Sequence, residues 1–193
     1  MKYAVVIIAI LVTIVTGYFY ITSEYGVSLV PSNPASRTLV NFTFEDGMQG
    51  WSPISNVKVL HETDVVHSGK YALQVKGDSP IGVWAVATSK HVQLKNNTPY
   101  RFSGWIKVDS ISSADASPKI YLKVGMYLDH KWYRNFYSKE YDLGHLGSWE
   151  YVSADFRSPE EGSVDFNVNV DKRTSTKDVY LISYIDDLRI ETL

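Results

Sequence analysis

From Thr38 onward the chain holds no long run of apolar residues at helical spacing; it alternates them instead. Neighbouring side chains on a strand point to opposite sides, so a run with every second residue apolar lays one face on a core. Between 119 and 128 the even positions are Ile120, Leu122, Val124, Met126 and Leu128. Between 164 and 171 they are Val164, Phe166, Val168 and Val170, and between 100 and 108 they are Tyr100, Phe102, Gly104, Ile106 and Val108. Turn clusters such as Glu45-Asp46-Gly47, Ser68-Gly69-Lys70, Lys95-Asn96-Asn97 and Ser158-Pro159-Glu160-Glu161-Gly162 separate the runs. Short strands punctuated in this way predict an all-β sandwich over 38–193.

The odd positions of the same runs carry a different chemistry. They are Arg101, Ser103, Trp105 and Lys107; then Lys119, Tyr121, Lys123, Gly125 and Tyr127; then Asp165, Asn167, Asn169 and Asp171. If these strands are neighbours in one sheet, its outer face carries Arg101, Trp105, Tyr121, Tyr127, Asn167 and Asn169. That mixture suits sugars, because flat rings stack on C–H faces while amides and guanidinium bond the hydroxyls. It equally suits a solvated sheet face built from good strand formers, and the phase alone leaves both readings open.

The last run departs from the pattern. Its even positions are Tyr180, Ile182, Tyr184, Asp186, Leu188 and Ile190, which puts Asp186 on the apolar phase. A buried carboxylate needs N–H donors or a cation. Glu45 and Asp46 in the first turn could join it in a hard oxygen site suited to calcium. Backbone amides of a neighbouring loop would serve as well.

Ahead of the β region, Tyr3 to Ile21 is a stretch of 19 residues without a charge. As a helix it spans roughly 28 Å, close to the hydrocarbon thickness of a bilayer. Gly17-Tyr18-Phe19-Tyr20 makes a poor cleavage site, so residues 1–21 read as an uncleaved signal anchor, with a cleaved signal peptide as the alternative. Either predicts export, to the extracellular face of the membrane or beyond it. Residues 22–37, with two prolines and four serines, read as a linker.

Five pieces of the β region occur together in one order. Asn41-Phe42-Thr43-Phe44-Glu45-Asp46-Gly47 with Gly50-Trp51 resembles the opening of carbohydrate-binding modules of the family 4 and 9 type. His67-Ser68-Gly69-Lys70-Tyr71-Ala72-Leu73, Asn97 to Lys107, Gly147-Ser148-Trp149-Glu150-Tyr151-Val152 and Tyr184-Ile185-Asp186-Asp187-Leu188 are similar to the later signatures. The resemblance implies a jelly-roll β-sandwich of two antiparallel sheets, one of them concave, here preceded by the N-terminal hydrophobic helix. It also implies a structural calcium held by the Glu45 side chain, the Lys70 carbonyl and Asp186. Trp51 and Trp149 match scaffold positions and are expected in the core, whereas Trp105 matches a family aromatic on the outer phase. Trp84 reads as part of a rim strand and Trp132, with Tyr133, as a hairpin tip; either could clamp a glycan chain from the edge, and either could be ordinary packing.

Other chemistries find little support. The chain has no cysteine, which excludes disulfides, thiol catalysis and cysteine metal sites. Its net charge of −2 offers nothing to attract nucleic acid. No Glu-x-Asp-x-Glu run occurs, and Asp165 and Asp171, six residues apart on a strand, stand roughly 20 Å from one another. His61-Glu62-Thr63-Asp64-Val65 lacks the second histidine of a zinc helix. The expected function is therefore non-catalytic binding of a polysaccharide or other glycan on the concave sheet. Trp105, Tyr121 and Tyr127 would stack, and Arg101, Asn167 and Asn169 would hydrogen bond. A cell-surface adhesion domain with a protein partner is the alternative. A divergent glycoside hydrolase, needing two carboxylates about 5–10 Å apart, is more remote.

Overall fold

The alternation becomes a sandwich of antiparallel strands. A computed structural model describes residues 37–53, 58–78, 83–88, 94–113, 119–128, 131–159, 164–171 and 179–193. The apolar segment at 3–21 and the linker up to residue 36 lie outside the described residues. Among the described residues, no helix is long and apolar enough to cross a membrane.

The strands are β1 (Thr38–Phe42), β2 (Trp51–Pro53), β3 (Lys58–Glu62), β4 (Ala72–Asp78), β5 (Val83–Thr88), β6 (Pro99–Ser113), β7 (Tyr121–Leu128), β8 (Lys131–Tyr137), β9 (Trp149–Arg157), β10 (Val164–Asp171) and β11 (Val179–Thr192). One sheet runs β3-β4-β11-β6-β9, with β1 also paired to β11. The other runs β2-β5-β10-β7-β8. Residues Arg37–Leu193 form one compact unit.

The even positions of β6 and β7 supply the core. Tyr100, Phe102, Ile106 and Val108 from one sheet, and Leu122, Val124 and Met126 from the other, are all buried. Trp51 joins them, edge-on to Phe42 and Phe44, with ring centroids 5.9 and 6.2 Å away. Burial of this apolar surface is the main force holding the two sheets together. Trp149 departs from expectation. It is only half-buried, and its ring meets the His67 ring at 5.6 Å on the outer side of the six-stranded sheet.

In β11 the expected phase is also corrected. Val179, Leu181, Ser183 and Ile185 face the core, all fully buried, and after them Leu188 and Ile190 do. The inward parity changes from odd to even because the register with β6 shifts between Asp186 and Arg189. Asp186 opposes Trp105 and Arg189 opposes Ser103, so Asp187 and Leu188 together face Gly104 alone. That is a β-bulge, and Asp187 within it takes φ = 49°, a left-handed conformation that aspartate tolerates better than most residues. Asp186 therefore belongs to the outer phase of its sheet. It is buried because the turn at 67–71 lies over it, not because it points into the sandwich.

Candidate functional site

The six residues expected on one face are divided between two sheets. Arg101 and Trp105 belong to β6 in the six-stranded sheet, while Tyr121, Tyr127, Asn167 and Asn169 belong to β7 and β10 in the five-stranded sheet. The phase of each strand was readable, but alternation carries no information about which strands pair.

Arg101 and Trp105 are also engaged locally. The Arg101 guanidinium donates to both oxygens of Asp155 at 2.7 and 2.9 Å. This pairing, first through its hydrogen bond, raises the guanidinium pKa and holds the Asp155 carboxyl below its ordinary value. Trp105 stacks on the His67 ring with centroids 3.9 Å apart and meets Tyr151 edge-on at 5.6 Å.

The outer face of the five-stranded sheet is built around β7. With Leu122, Val124 and Met126 turned to the core, Tyr121, Lys123, Gly125 and Tyr127 lie on the opposite side. Directly opposed residues of an antiparallel pair share a face. Asn167 is opposite Gly125, and Asn169 is opposite Lys123. Beyond β10, Thr88 is opposite Asn167 and Val86 opposite Asn169. Trp84 thus lies in a strand between β2 and β10, not at a rim. On the other side of β7, Asn135 is opposite Gly125, Tyr137 opposite Lys123 and Trp132 opposite Tyr127.

This face is internally connected. Tyr121 meets Tyr137 edge-on at 5.9 Å. The Tyr121 hydroxyl lies 3.5 Å from Glu140, which is paired to Lys119 at 2.9 Å. In β8 the sequence points to Trp132 as an edge aromatic but not to Asn135 or Tyr137. Lys131-Trp132-Tyr133-Arg134-Asn135-Phe136-Tyr137 has aromatics on both parities, and a register shift against β7 between Met126 and Tyr127 interrupts any simple phase.

Three further carboxylates converge on the turn at 67–71. Asp186 Oδ2 accepts from the His67 and Ser68 amides, both at 3.0 Å, and Oδ1 accepts from the Asp187 amide at 2.8 Å. Burial pushes the Asp186 carboxyl pKa up, against the downward pull of these amide bonds. Glu45 Oε1 accepts from the Lys70 and Tyr71 amides at 2.9 and 3.1 Å. Asp187 Oδ2 ties the same turn through His67 Nδ1 at 2.9 Å and the Ser68 hydroxyl at 2.8 Å. Glu45 and Asp186 offer hard oxygens of the type that calcium takes, but the ligand atoms that come within 4.8 Å of one another at this turn are those of His67, Asp186 and Asp187, without Glu45. The backbone amides already stabilise the same charges.

Fold and face together define a β-sandwich whose five-stranded sheet presents aromatic, amide and ammonium groups outward. The sequence profile of the carbohydrate-binding domain family 4/9 matches residues 36–177, and the chain belongs to that family. No curated protein matches the chain. Among solved structures, it is similar to the CBM22-1 xylan-binding domain of Paenibacillus barcinonensis Xyn10C. The two share 19% identity with a TM-score of 0.61, over 82% of this chain and 96% of that one. It is also similar to the CBM22-1–GH10 modules of Clostridium thermocellum endo-1,4-beta-D-xylanase 10B complexed with xylohexaose. That likeness has 19% identity and a TM-score of 0.61, over 81% of this chain and 28% of that one. At these identities the likeness establishes the fold.

Proposed function

We propose that the protein binds a polysaccharide, without catalysis, on the outer face of its five-stranded sheet. The observation that carries this reading is the cross-strand arrangement on β10, β7 and β8. Tyr121, Tyr127, Tyr137 and Trp132 bring ring faces, Lys123 brings an ammonium that can bond hydroxyls, and the register sets Asn167 and Asn169 opposite Gly125 and Lys123. Family membership supports carbohydrate as the ligand class, and the xylan-binding neighbours make a β-linked xylan the first polysaccharide to try. Arg101 and Trp105 are left out of this site because they belong to the other sheet. The uncharged segment at 3–21 supports export and a membrane anchor, which would hold the binding face at the outer cell surface.

The test is affinity electrophoresis of the full chain against xylan, β-glucan and mannan. Retardation by one of them is expected. The Tyr121→Ala/Tyr127→Ala double variant should weaken it by roughly five- to 150-fold while keeping its unfolding midpoint, since each ring gives up a stacking surface worth about 0.5–1.5 kcal/mol. A folded wild type that no polysaccharide retards would sink the reading and turn attention to a protein partner at the cell surface.

Calcium is part of the same proposal. Glu45 and Asp186 through their carboxylates, and Lys70 through its carbonyl, would hold the ion and tie the first turn, the 67–71 turn and the last strand together. A chelator should then lower the melting midpoint, and calcium, but not magnesium, should restore it. An unchanged midpoint would mean that the backbone amides suffice.

A further inference from the structure

At 61% exposure, Trp132 is the most open large apolar side chain among the described residues. An indole standing in solvent at a hairpin ordinarily samples several rotamers. This one is held. Its Nε1–H donates to Asn135 Oδ1 at 3.1 Å, and Asn135 Nδ2 donates to the Tyr137 hydroxyl at 3.4 Å. The amide orientation follows from the chemistry, because an indole N–H can only donate and must meet the carbonyl side. One side chain thus fixes two aromatic rings on the edge strand.

The opposite strand is shaped to allow it. Asn135 faces Gly125 across the β7–β8 pair. A Cβ at Gly125 would stand 3.3 Å from Asn135 Oδ1 and 3.6 Å from Tyr127 Cε2. The missing side chain lets the amide and the Tyr127 ring settle over β7. Tyr137 in turn meets Tyr121 edge-on. Trp132, Asn135 and Tyr137 are therefore coupled to the tyrosines of the proposed glycan face.

We propose that Asn135 is the positioning residue of a stacking subsite on the edge strand, in which Trp132 presents its ring face to an uncharged pyranose unit of the glycan. The proposal rests on the reading of this sheet face as a glycan site. The indole N–H is spent on Asn135, so recognition at Trp132 is by the ring face, whose negative potential suits sugar C–H groups. Fixing the indole before the ligand arrives removes an ordering cost at binding.

The test uses the full chain as wild type, Asn135→Ala, Trp132→Phe and the double variant, with two readouts. The first is acrylamide quenching of tryptophan fluorescence without ligand, with Trp132→Phe identifying the share that comes from Trp132. Asn135→Ala should change quenching of that share while the unfolding midpoint stays within a degree or two. The second is affinity for the polysaccharide that retards the wild type. Asn135→Ala should weaken it about three- to tenfold, and clearly less in the Trp132→Phe background, where only the hold of Asn135 on Tyr137 remains to be lost. Unchanged quenching overturns the positioning role whether or not a glycan has been found. Equal weakening by Asn135→Ala in both backgrounds overturns the link to Trp132. Failure of the wild type to bind any glycan overturns the sheet-face reading, and the subsite with it.

Discussion

Asp186→Ala is expected to lower the unfolding free energy by about 3 kcal/mol and to loosen the turn at 67–71. Three backbone amides, those of His67, Ser68 and Asp187, point at this one carboxylate. Removing it leaves buried donors without acceptors, which costs roughly 1–3 kcal/mol for each that water cannot reach. The bond from His67 Nδ1 to Asp187 and the stacking of His67 on Trp105 keep the turn near its place and limit water entry. Asp186→Asn separates charge from geometry. Its carbonyl oxygen can still accept from His67 and Ser68, but its NH2 group would confront the Asp187 N–H, so a loss of about 1–2 kcal/mol is expected. Urea unfolding followed by circular dichroism measures both. A loss below about 0.5 kcal/mol for the alanine variant would show that the turn is not held by this carboxylate.

The burial of Asp186 also shows what could and could not be read from the sequence. That a carboxylate stands buried near the end of the chain was legible, because an aspartate interrupts an apolar strand. The face it occupies was not, because two-residue periodicity assumes an unbroken ladder and the bulge at Asp187-Leu188 inserts one extra residue. The cores of β6 and β7 were legible for the converse reason: within each strand Tyr100 to Val108 and Ile120 to Met126 keep one phase without a break. The binding face was legible only in part. Tyr121 and Tyr127 follow from the phase of β7 alone, whereas their grouping with Arg101 and Trp105 required knowing strand order. Strand order is a long-range property that local alternation does not carry. Asn135 was invisible for a third reason, since its role lies in hydrogen bonds to Trp132 and Tyr137 along an edge strand with no clear polar side.

The same bulge leaves Gly104 no room for a methyl group. Gly104 is the single residue of β6 that faces Asp187 and Leu188 together. Its backbone lies outside the left-handed region, so conformational freedom is not the reason for glycine here. Space is. A Cβ at Gly104 would stand 2.0 Å from Leu188 Cδ2, 3.1 Å from its Cγ and 3.2 Å from its Cα. The first contact could be relieved by a new Leu188 rotamer, but Leu188 is buried among core residues that leave it little choice. The third is with backbone and needs β11 to shift from β6. Gly104→Ala is therefore expected to cost about 2–3 kcal/mol, the upper part of the range for overpacking. Leu188→Ala alone should cost about 2–4 kcal/mol through the cavity it leaves. In the Gly104→Ala/Leu188→Ala double variant the new methyl enters that cavity. Its total loss should fall short of the sum of the single losses by at least 1 kcal/mol. Strict additivity would place the cost of Gly104→Ala in the strand backbone instead. The bulge would then be a rigid feature of the sheet, to which Leu188 merely conforms.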